Sequence, residues 1–467
     1  MSFVAWCRGA PVSTALRYAW TALMNLWVNL ASCLALAVAM PRWIVGMLRG
    51  RYRWQDLAAR LIGQVCVRTG DAPCLWLHAA SVGEMNVLVK LLPSLERQYP
   101  EYELVVSSAT TSGYQRASQA ITAHSVVWFP LAFSWAAKRA LRRMRPTAIV
   151  LVDFELAPTL VEAAQNLGIG LFVINGRLSQ KRQRLLRGWP RTATRTLERI
   201  DRIFAQSADD AVQFVAFGAR PEAVEVTGSI KFDILDADRH HPDILGLREF
   251  AGLEEDNQVF VAGSTKAGEE LAALDAFRDL ADDFPRLKLL VAPRNASRFQ
   301  AVAKLLDASG YQWQRRSTLE VSGVNPSSRI LLIDSLGELQ QWWATADVAF
   351  VGGSLHAEGG QNMIEPAAYG AAVCFGPHTQ NFRDVVSLLV SEEAAEVVHS
   401  DAELSQFVRR CLEDPLHAET LGWRARQVVQ QQSGAIEATI AALDRGLLAI
   451  AQRKRGVVTV APARRAA

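Results

Sequence analysis

The chain reads as an α/β protein of two doubly wound domains behind an apolar N-terminal helix, and three observations predict it. From residue 74 onward short apolar runs alternate with longer amphipathic ones, the pattern of parallel strands joined by crossover helices. The runs form two series separated by a polar stretch. The chain has 467 residues, half of them hydrophobic, and single cores stop growing at roughly 250 to 300 residues.

Residues 18–41, "YAWTALMNLWVNLASCLALAVAMP", carry no charge. As a helix rising about 1.5 Å per residue they are long enough for a bilayer core of about 30 Å. Residues 1–60 are therefore expected to be a membrane anchor with a basic juxtamembrane segment. Arg8 and Arg17 precede the apolar run, and Arg42, Arg49, Arg51, Arg53 and Arg60 follow it. That bias places the bulk of the chain on the cytoplasmic side of an inner membrane, held by a single anchor. Three alternatives stay open, one of them that "ALA" and "AVA" near residue 39 resemble a small-residue cleavage site that would export the chain. Asn25 and Asn29 permit a helix lying in the interface, and "LASC" at 30–33 resembles a lipoprotein box that would export the chain.

The first domain is expected over 61–235, with strands at 74–79, 103–108, 125–130, 147–152, 170–174 and 202–206. A polar linker is expected over 236–257. The second domain, 258–450, takes strands at 259–264, 288–293, 329–334 and 347–352 and in "AVCFG", which ends at residue 376. A basic tail, 451–467, is expected to be disordered.

The net charge is only +3 but unevenly spread. Residues 1–235 hold 27 Lys and Arg against 16 Asp and Glu, and the remainder holds 23 against 31. The first half should be drawn to something anionic. Between 177 and 202 nine basic residues face only Glu198 and Asp201, and without an aromatic motif this run does not point to nucleic acid. An anionic membrane surface is the expected partner. Six scattered cysteines include no CxxC pair, so neither a zinc site nor a disulfide framework is indicated.

Several strand ends carry Gly, Ser or Thr where a helix would begin: "SVGE", "SSATTSG", "NGRLS", "GSTKAGEE", "PRNASRF" and "GGSLHAEGGQN". In open α/β sheets ligands bind outside the carboxyl ends of the strands, and helix N-termini receive phosphate. Glu84 in "SVGE" suits a general base, and it equally suits a charge at a helix start.

In order and spacing, "HAASVGE", "TGSIKFD", "STKAGEE", "DSLGELQQWWATADVAFVGGSL", "GGQNMIEPAA" and "FGPHTQNFRD" resemble the motifs of bacterial 3-deoxy-D-manno-octulosonic acid (Kdo) transferases, over about residues 75–425. The resemblance implies a GT-B fold, two Rossmann-like domains facing a cleft. It also implies inverting transfer of Kdo from CMP-Kdo to a lipid A precursor, lipid IVA, with no cofactor and no metal. By the same resemblance Glu84 is the base and Glu155 a second carboxylate of the site. Lys231, Gly263, Ser264, Arg294, Gly353, Asn362 and Glu365 are expected at the donor, and Ser81 and Arg177 at the acceptor. The chain departs from the family pattern at Lys266, Gln361, Asn295, Ala296, Ala132 and the stretch Ala157–Thr159. Those departures bear on the acceptor and on the finer contacts of the donor.

Overall fold

The computed structural model describes residues 14–48, 53–155, 157–233, 237–356 and 359–458. The chain divides into two compact units, residues 1–230 with 434–467, and residues 231–433. Arg8, Arg49 and Arg51 of the basic flanks, and residues 459–467 of the expected tail, lie outside the described residues.

The first unit is built on seven strands: β1 Cys74–His78, β2 Glu103–Ser108, β3 Ser125–Trp128, β4 Ala148–Val152, β5 Gly170–Gly176, β6 Arg202–Ala205 and β7 Val224–Val226. Every pairing is parallel, in the order β3-β2-β1-β4-β5-β6-β7. The strands are continuous apolar runs because helices cover both faces. Along β1, Cys74 and Trp76 enter one core with Ile149 and Val173, while Leu75 and Leu77 enter the other with Val150 and Phe172.

The second unit carries β8 Gln258–Thr265, β9 Leu287–Pro293, β10 Trp313–Arg315, β11 Ile330–Leu332, β12 Val348–Val351, β13 Ala372–Phe375 and β14 Glu396–Val397. These also pair only in parallel, in the order β10-β11-β9-β8-β12-β13-β14. Its two cores again take alternate residues, Val259 and Val261 on one face and Phe260 and Ala262 on the other. Strand order reverses between β1 and β4 in the first unit and between β8 and β12 in the second. These are the switch points at which doubly wound sheets bind ligands.

The observed division differs from the expected one at two places. The stretch read as a linker contains the helix Pro242–Phe250, whose Ile244, Leu247 and Phe250 recur at helical spacing and pack into the second unit's core. The last helix, Ala435–Val458, belongs to the first unit. Its Leu443, Leu447 and Ile450 pack with Leu75 and Phe172. Gly446 sits so near that an added Cβ would lie 2.3 Å from the Phe172 ring. Tyr99 Oη donates to Asp444 at 2.6 Å and also fastens this helix. The helix runs on to Val458, so the start of the expected tail is helical rather than disordered.

The N-terminal helix spans Thr14–Leu48. Its Asn29 accepts from the Ser134 N–H at 3.0 Å and donates to the Ser134 hydroxyl at 3.1 Å, and its Ser32 hydroxyl donates to the Ala132 carbonyl. Asn29 thereby satisfies an orphan N–H at the start of helix Ser134–Met144, whose own N-cap residue, Phe133, has no side-chain acceptor. The opposite side of the N-terminal helix is bare. Leu26, Leu30, Leu34 and Val38 are 55%, 54%, 69% and 73% exposed. Each exposed residue described between 26 and 48 is apolar. Among the described residues no helix is long and apolar enough to cross a membrane.

Candidate functional site

At the first switch point β1 runs into the helix Val82–Gln98 through Ala79, Ala80 and Ser81. Ser81 is the N-cap: its hydroxyl accepts from the Glu84 N–H at 3.3 Å, and Glu84 Oε2 accepts from Ala80 N–H at 2.7 Å. Ser81 N–H also donates to Glu84 Oε2, at 3.4 Å, which closes a capping box with Glu84 reaching back over the turn. The Ala80 carbonyl accepts from the hydroxyls of Thr110 at 2.7 Å and Ser108 at 3.2 Å. The loop beneath Glu84 is therefore pinned at both its N–H and its carbonyl.

The neighbouring strand end supplies the other acids. Asp153, just after β4, holds a left-handed φ of 62°, a conformation that costs a non-glycine residue on the order of 1 kcal/mol or more. Its Oδ1 accepts from the N–H groups of Phe154 at 2.7 Å and Arg177 at 3.1 Å, which fixes the turn. Arg182 pairs with Asp153 Oδ2 through one guanidinium nitrogen and with Glu84 Oε1 through another, at 3.2 Å. Burial disfavours the Arg182 charge, but Asp153 and Glu84 more than offset this and raise its pKa.

Glu155 lies two residues past Asp153 and accepts from His78 Nε2 at 3.1 Å. His78, the last residue of β1, is buried and stacked on Phe129 with ring centroids 3.6 Å apart. Its Nδ1 lies 3.0 Å from the Ser107 hydroxyl. Burial pushes the Glu155 carboxyl up, yet the His78 hydrogen bond and the charges of Arg182 and Arg60 outweigh it and hold the carboxyl below its usual range. Arg60, whose charge burial disfavours, lies over Trp128, 5.5 Å from its ring centroid.

Ser81, Glu84, Glu155 and the backbone of Arg177 thus meet at one corner. Arg177 is half-buried, and the next residue, Leu178, donates its N–H to Asp210 Oδ1 at 3.2 Å. Three residues of this corner were not singled out from sequence: His78, Asp153 and Arg182. A histidine inside an apolar run reads as core, and Arg182 was hidden in a basic run. Its neighbours Lys181 and Arg184 are exposed, as a solvated face requires.

At the second switch point the loops after β8 and β12 are bound to each other by Glu269. This carboxylate is fully buried. Its Oε1 accepts from the N–H groups of Ser354 and Leu355, both at 2.9 Å, and its Oε2 from those of Gly353 at 2.7 Å and Lys266 at 2.8 Å. The anion-receptive N–H groups read in "GSTK" and "GGSL" are in large part filled by the protein's own carboxylate. Gly353 therefore has no free N–H to offer a donor phosphate, and its carbonyl accepts from Gly360. Gly263 lies inside the ladder between Val351 and Ala292, and an added Cβ would lie 2.3 Å from the Trp343 ring. Close packing requires glycine there.

Ser264 follows with a left-handed φ of 55°. Arg294 is exposed, and its N–H donates to the Thr265 carbonyl at 3.0 Å. Arg298 forms a bidentate pair with buried Glu270 at 2.6 and 3.1 Å, so of the two arginines in "PRNASR" one is structural. Asn362 accepts from the Ile364 N–H at 3.2 Å and donates to Glu365 at 2.9 Å, which makes it a local cap that orients Glu365. The loop that leads to Asn362 lies against Gly353 through Gln361, and Glu365 sits in the helix Ile364–Ala368 that follows. Lys231 is half-buried in a turn of 3₁₀ helix at the first residue of the second unit. Among the described residues no three His, Cys, Asp or Glu side chains are grouped to hold a metal.

Residues 55–234 match the family described as 3-deoxy-D-manno-octulosonic-acid transferase (kdotransferase). A 3-deoxy-D-manno-octulosonic acid transferase of Haemophilus influenzae is 31% identical over 377 residues, covering 79% of this chain and 87% of its own. One from Bordetella pertussis is 31% identical over 407 residues, covering 84% and 92%. Among solved structures, the C-terminal CMP-Kdo binding domain of WaaA from Acinetobacter baumannii is 31% identical and covers 40% of this chain and 96% of its own, with a TM-score of 0.38. The UDP-GlcNAc 2-epimerase of Neisseria meningitidis, 12% identical, covers 80% and 99% with a TM-score of 0.52, a likeness of fold. Two relatives of this identity over most of both chains place the protein: it belongs to the 3-deoxy-D-manno-octulosonic acid transferase family and is a glycosyltransferase of lipopolysaccharide biosynthesis.

Proposed function

We propose that this transferase moves Kdo from CMP-Kdo to a lipid A precursor of the lipid IVA type, with inversion and without a metal. In this reading the second unit holds the donor and the first unit the acceptor. The observation that carries it is the convergence of Glu84, Asp153 and Glu155 at the first switch point, where one carboxylate is held ready beside a fixed cation. Glu84 takes the proton of the acceptor hydroxyl as its oxygen attacks the anomeric carbon and CMP departs. Each carboxylate oxygen has about two acceptor sites, so the capping bond leaves Glu84 able to accept that hydroxyl.

At the donor, Lys231, Arg294 and the Ser264 turn meet the departing phosphate, and Glu365, oriented by Asn362, binds the nucleoside sugar. Gly263 and Gly353 act by shaping the backbone. Ser81 and Arg177 face the acceptor. The test is mass spectrometry of lipid A precursor incubated with purified protein and CMP-Kdo. A mass gain of one or more Kdo units is expected, undiminished in excess chelator. No mass gain sinks the acceptor assignment, and a gain that chelator abolishes and magnesium restores sinks the metal-free mechanism.

The same reading gives the N-terminal helix its use. Among the described side chains of residues 26–48 the exposed face is apolar and about 30 Å long, a surface that water does not favour, and Asn29 and Ser32 on the other side are spent on the protein body. The helix therefore serves as an anchor lying along an anionic inner-membrane surface on its cytoplasmic side. Exposed Lys181, Arg184, Arg187 and Arg191, with exposed Leu185 and Trp189, add to the attraction.

Cys33 on the bare face and Cys66 off the helix are both exposed, though partial burial and Glu103 push the Cys66 thiol up; burial pushes the thiols of Cys74 and Cys411 up to about 12 and that of Cys374 well up. In a Cys7→Ser background a water-soluble maleimide is expected to label Cys33 and Cys66 only. Vesicles of phosphatidylethanolamine and phosphatidylglycerol should then slow Cys33 at least fivefold and leave Cys66 unchanged. Equal labelling of Cys33 with and without vesicles overturns the anchor.

A further inference from the structure

We infer that Arg182 is a positioning residue for transfer, holding the Glu84 carboxylate in the single orientation from which it meets the acceptor hydroxyl. The inference rests on the reading of Glu84 as the base. Its observation is a chain of fixed contacts. Asp153 is fastened by two backbone N–H groups, from Phe154 and Arg177. Arg182 is fastened to Asp153, and Glu84 Oε1 is fastened to Arg182 at 3.2 Å. The second oxygen of Glu84 is held by the Ala80 N–H at 2.7 Å, so both oxygens are tied from opposite sides. The Glu84 and Asp153 side chains are each only 15% exposed, which leaves little water to replace the cation.

The planar guanidinium suits this bridging task because its nitrogens diverge in a fixed fork. Lysine offers a point charge and cannot fix two carboxylates at once. Arg182 also lies close enough to Glu155 to interact with its charge, so one cation serves three acids at the switch point. Its role is distinct from that of Lys181, Arg184, Arg187 and Arg191 around it, which are exposed.

The test is a double-mutant cycle of Arg182→Gln and Glu84→Gln, with kcat, the KM for CMP-Kdo and melting measured for each protein. Arg182→Gln is expected to lower kcat at least tenfold with the KM for CMP-Kdo within twofold of the parent. In the Glu84→Gln background the same change should cost less than threefold. Arg182→Lys should recover part of the loss. If Glu84→Gln is deeply impaired while Arg182→Gln transfers within twofold of the parent, the positioning role is wrong and the base reading stands. If the two losses multiply in the double variant, Arg182 acts through something other than Glu84. If Glu84→Gln itself is within threefold, the base reading falls and takes this inference with it. Should Arg182→Gln fail to fold, the cycle is run with Arg182→Lys, whose smaller loss in kcat should vanish in the Glu84→Gln background; a loss that persists there overturns the positioning role.

Discussion

Glu84→Gln is expected to lower single-turnover Kdo transfer by about 10² or more, equivalent to roughly 2.7 kcal/mol of barrier. The amide keeps the shape of the side chain but cannot take the acceptor proton. Donor binding should hold within twofold, because a base is needed only as the bond forms. Folding should weaken slightly. One carboxylate oxygen accepts from the Ala80 and Ser81 N–H groups and the other pairs with Arg182, and glutamine has only one oxygen to divide between them. Losing a cap costs about 0.5 to 2 kcal/mol, so the variant remains folded at 25 °C while its chemistry is nearly lost. This separation answers the ambiguity in the sequence, where a glutamate at a helix start and a catalytic base look alike. The structure shows that Glu84 does serve the helix start, and only the rate shows whether it also serves the reaction. Transfer within threefold of the parent would make Glu155, with its His78 partner, the next carboxylate to test.

Most of the strands that could be read from sequence are buried on both faces, since burial on both faces is what makes an apolar run continuous. The three that were missed, β7, β10 and β14, are all edge strands of two or three residues, and each includes a charged or polar side chain. An edge strand has one neighbour and one open side, so it needs no long apolar run; β3, also an edge, was legible because Val126, Val127 and Trp128 keep one. The site was legible to the extent that Gly, Ser and Thr gather at strand ends. What they do there was less so. Gly263 looked like backbone bared for a phosphate, yet it is glycine because Trp343 packs on it. Arg182 looked like one of nine solvated cations, and only the fold shows which of them turns inward to Asp153 and Glu84. Similarly, "STKAGEE" has two adjacent glutamates of which sequence says only that they open a helix. One of them ties two loops together, and the other holds Arg298.

Those loops are where the second large effect is expected. Glu269→Ala should destabilise the second unit by about 3 to 5 kcal/mol, a fall in its melting temperature on the order of 10 °C. Four backbone N–H groups, those of Lys266, Gly353, Ser354 and Leu355, lie 2.7 to 2.9 Å from this carboxylate. The site is fully buried, so no water stands by to replace it. Hydrogen bonds to a charged acceptor are worth about 1.5 to 3 kcal/mol each, and unpaired buried donors keep their full desolvation cost. Gly352 is part of the same arrangement, since an added Cβ there would lie 2.8 Å from Glu269 Oε2. Glu269→Gln should be little better than alanine, which is the sharper expectation. Each carboxylate oxygen serves two of the donors, so an amide in place of either oxygen sets its own N–H groups against two others. Calorimetric melting with hydrogen exchange of residues 258–268 and 348–356 reads the outcome. A Glu269→Gln protein melting within 2 °C of the parent, with unchanged exchange in both loops, would show that the buried carboxylate is not what joins them.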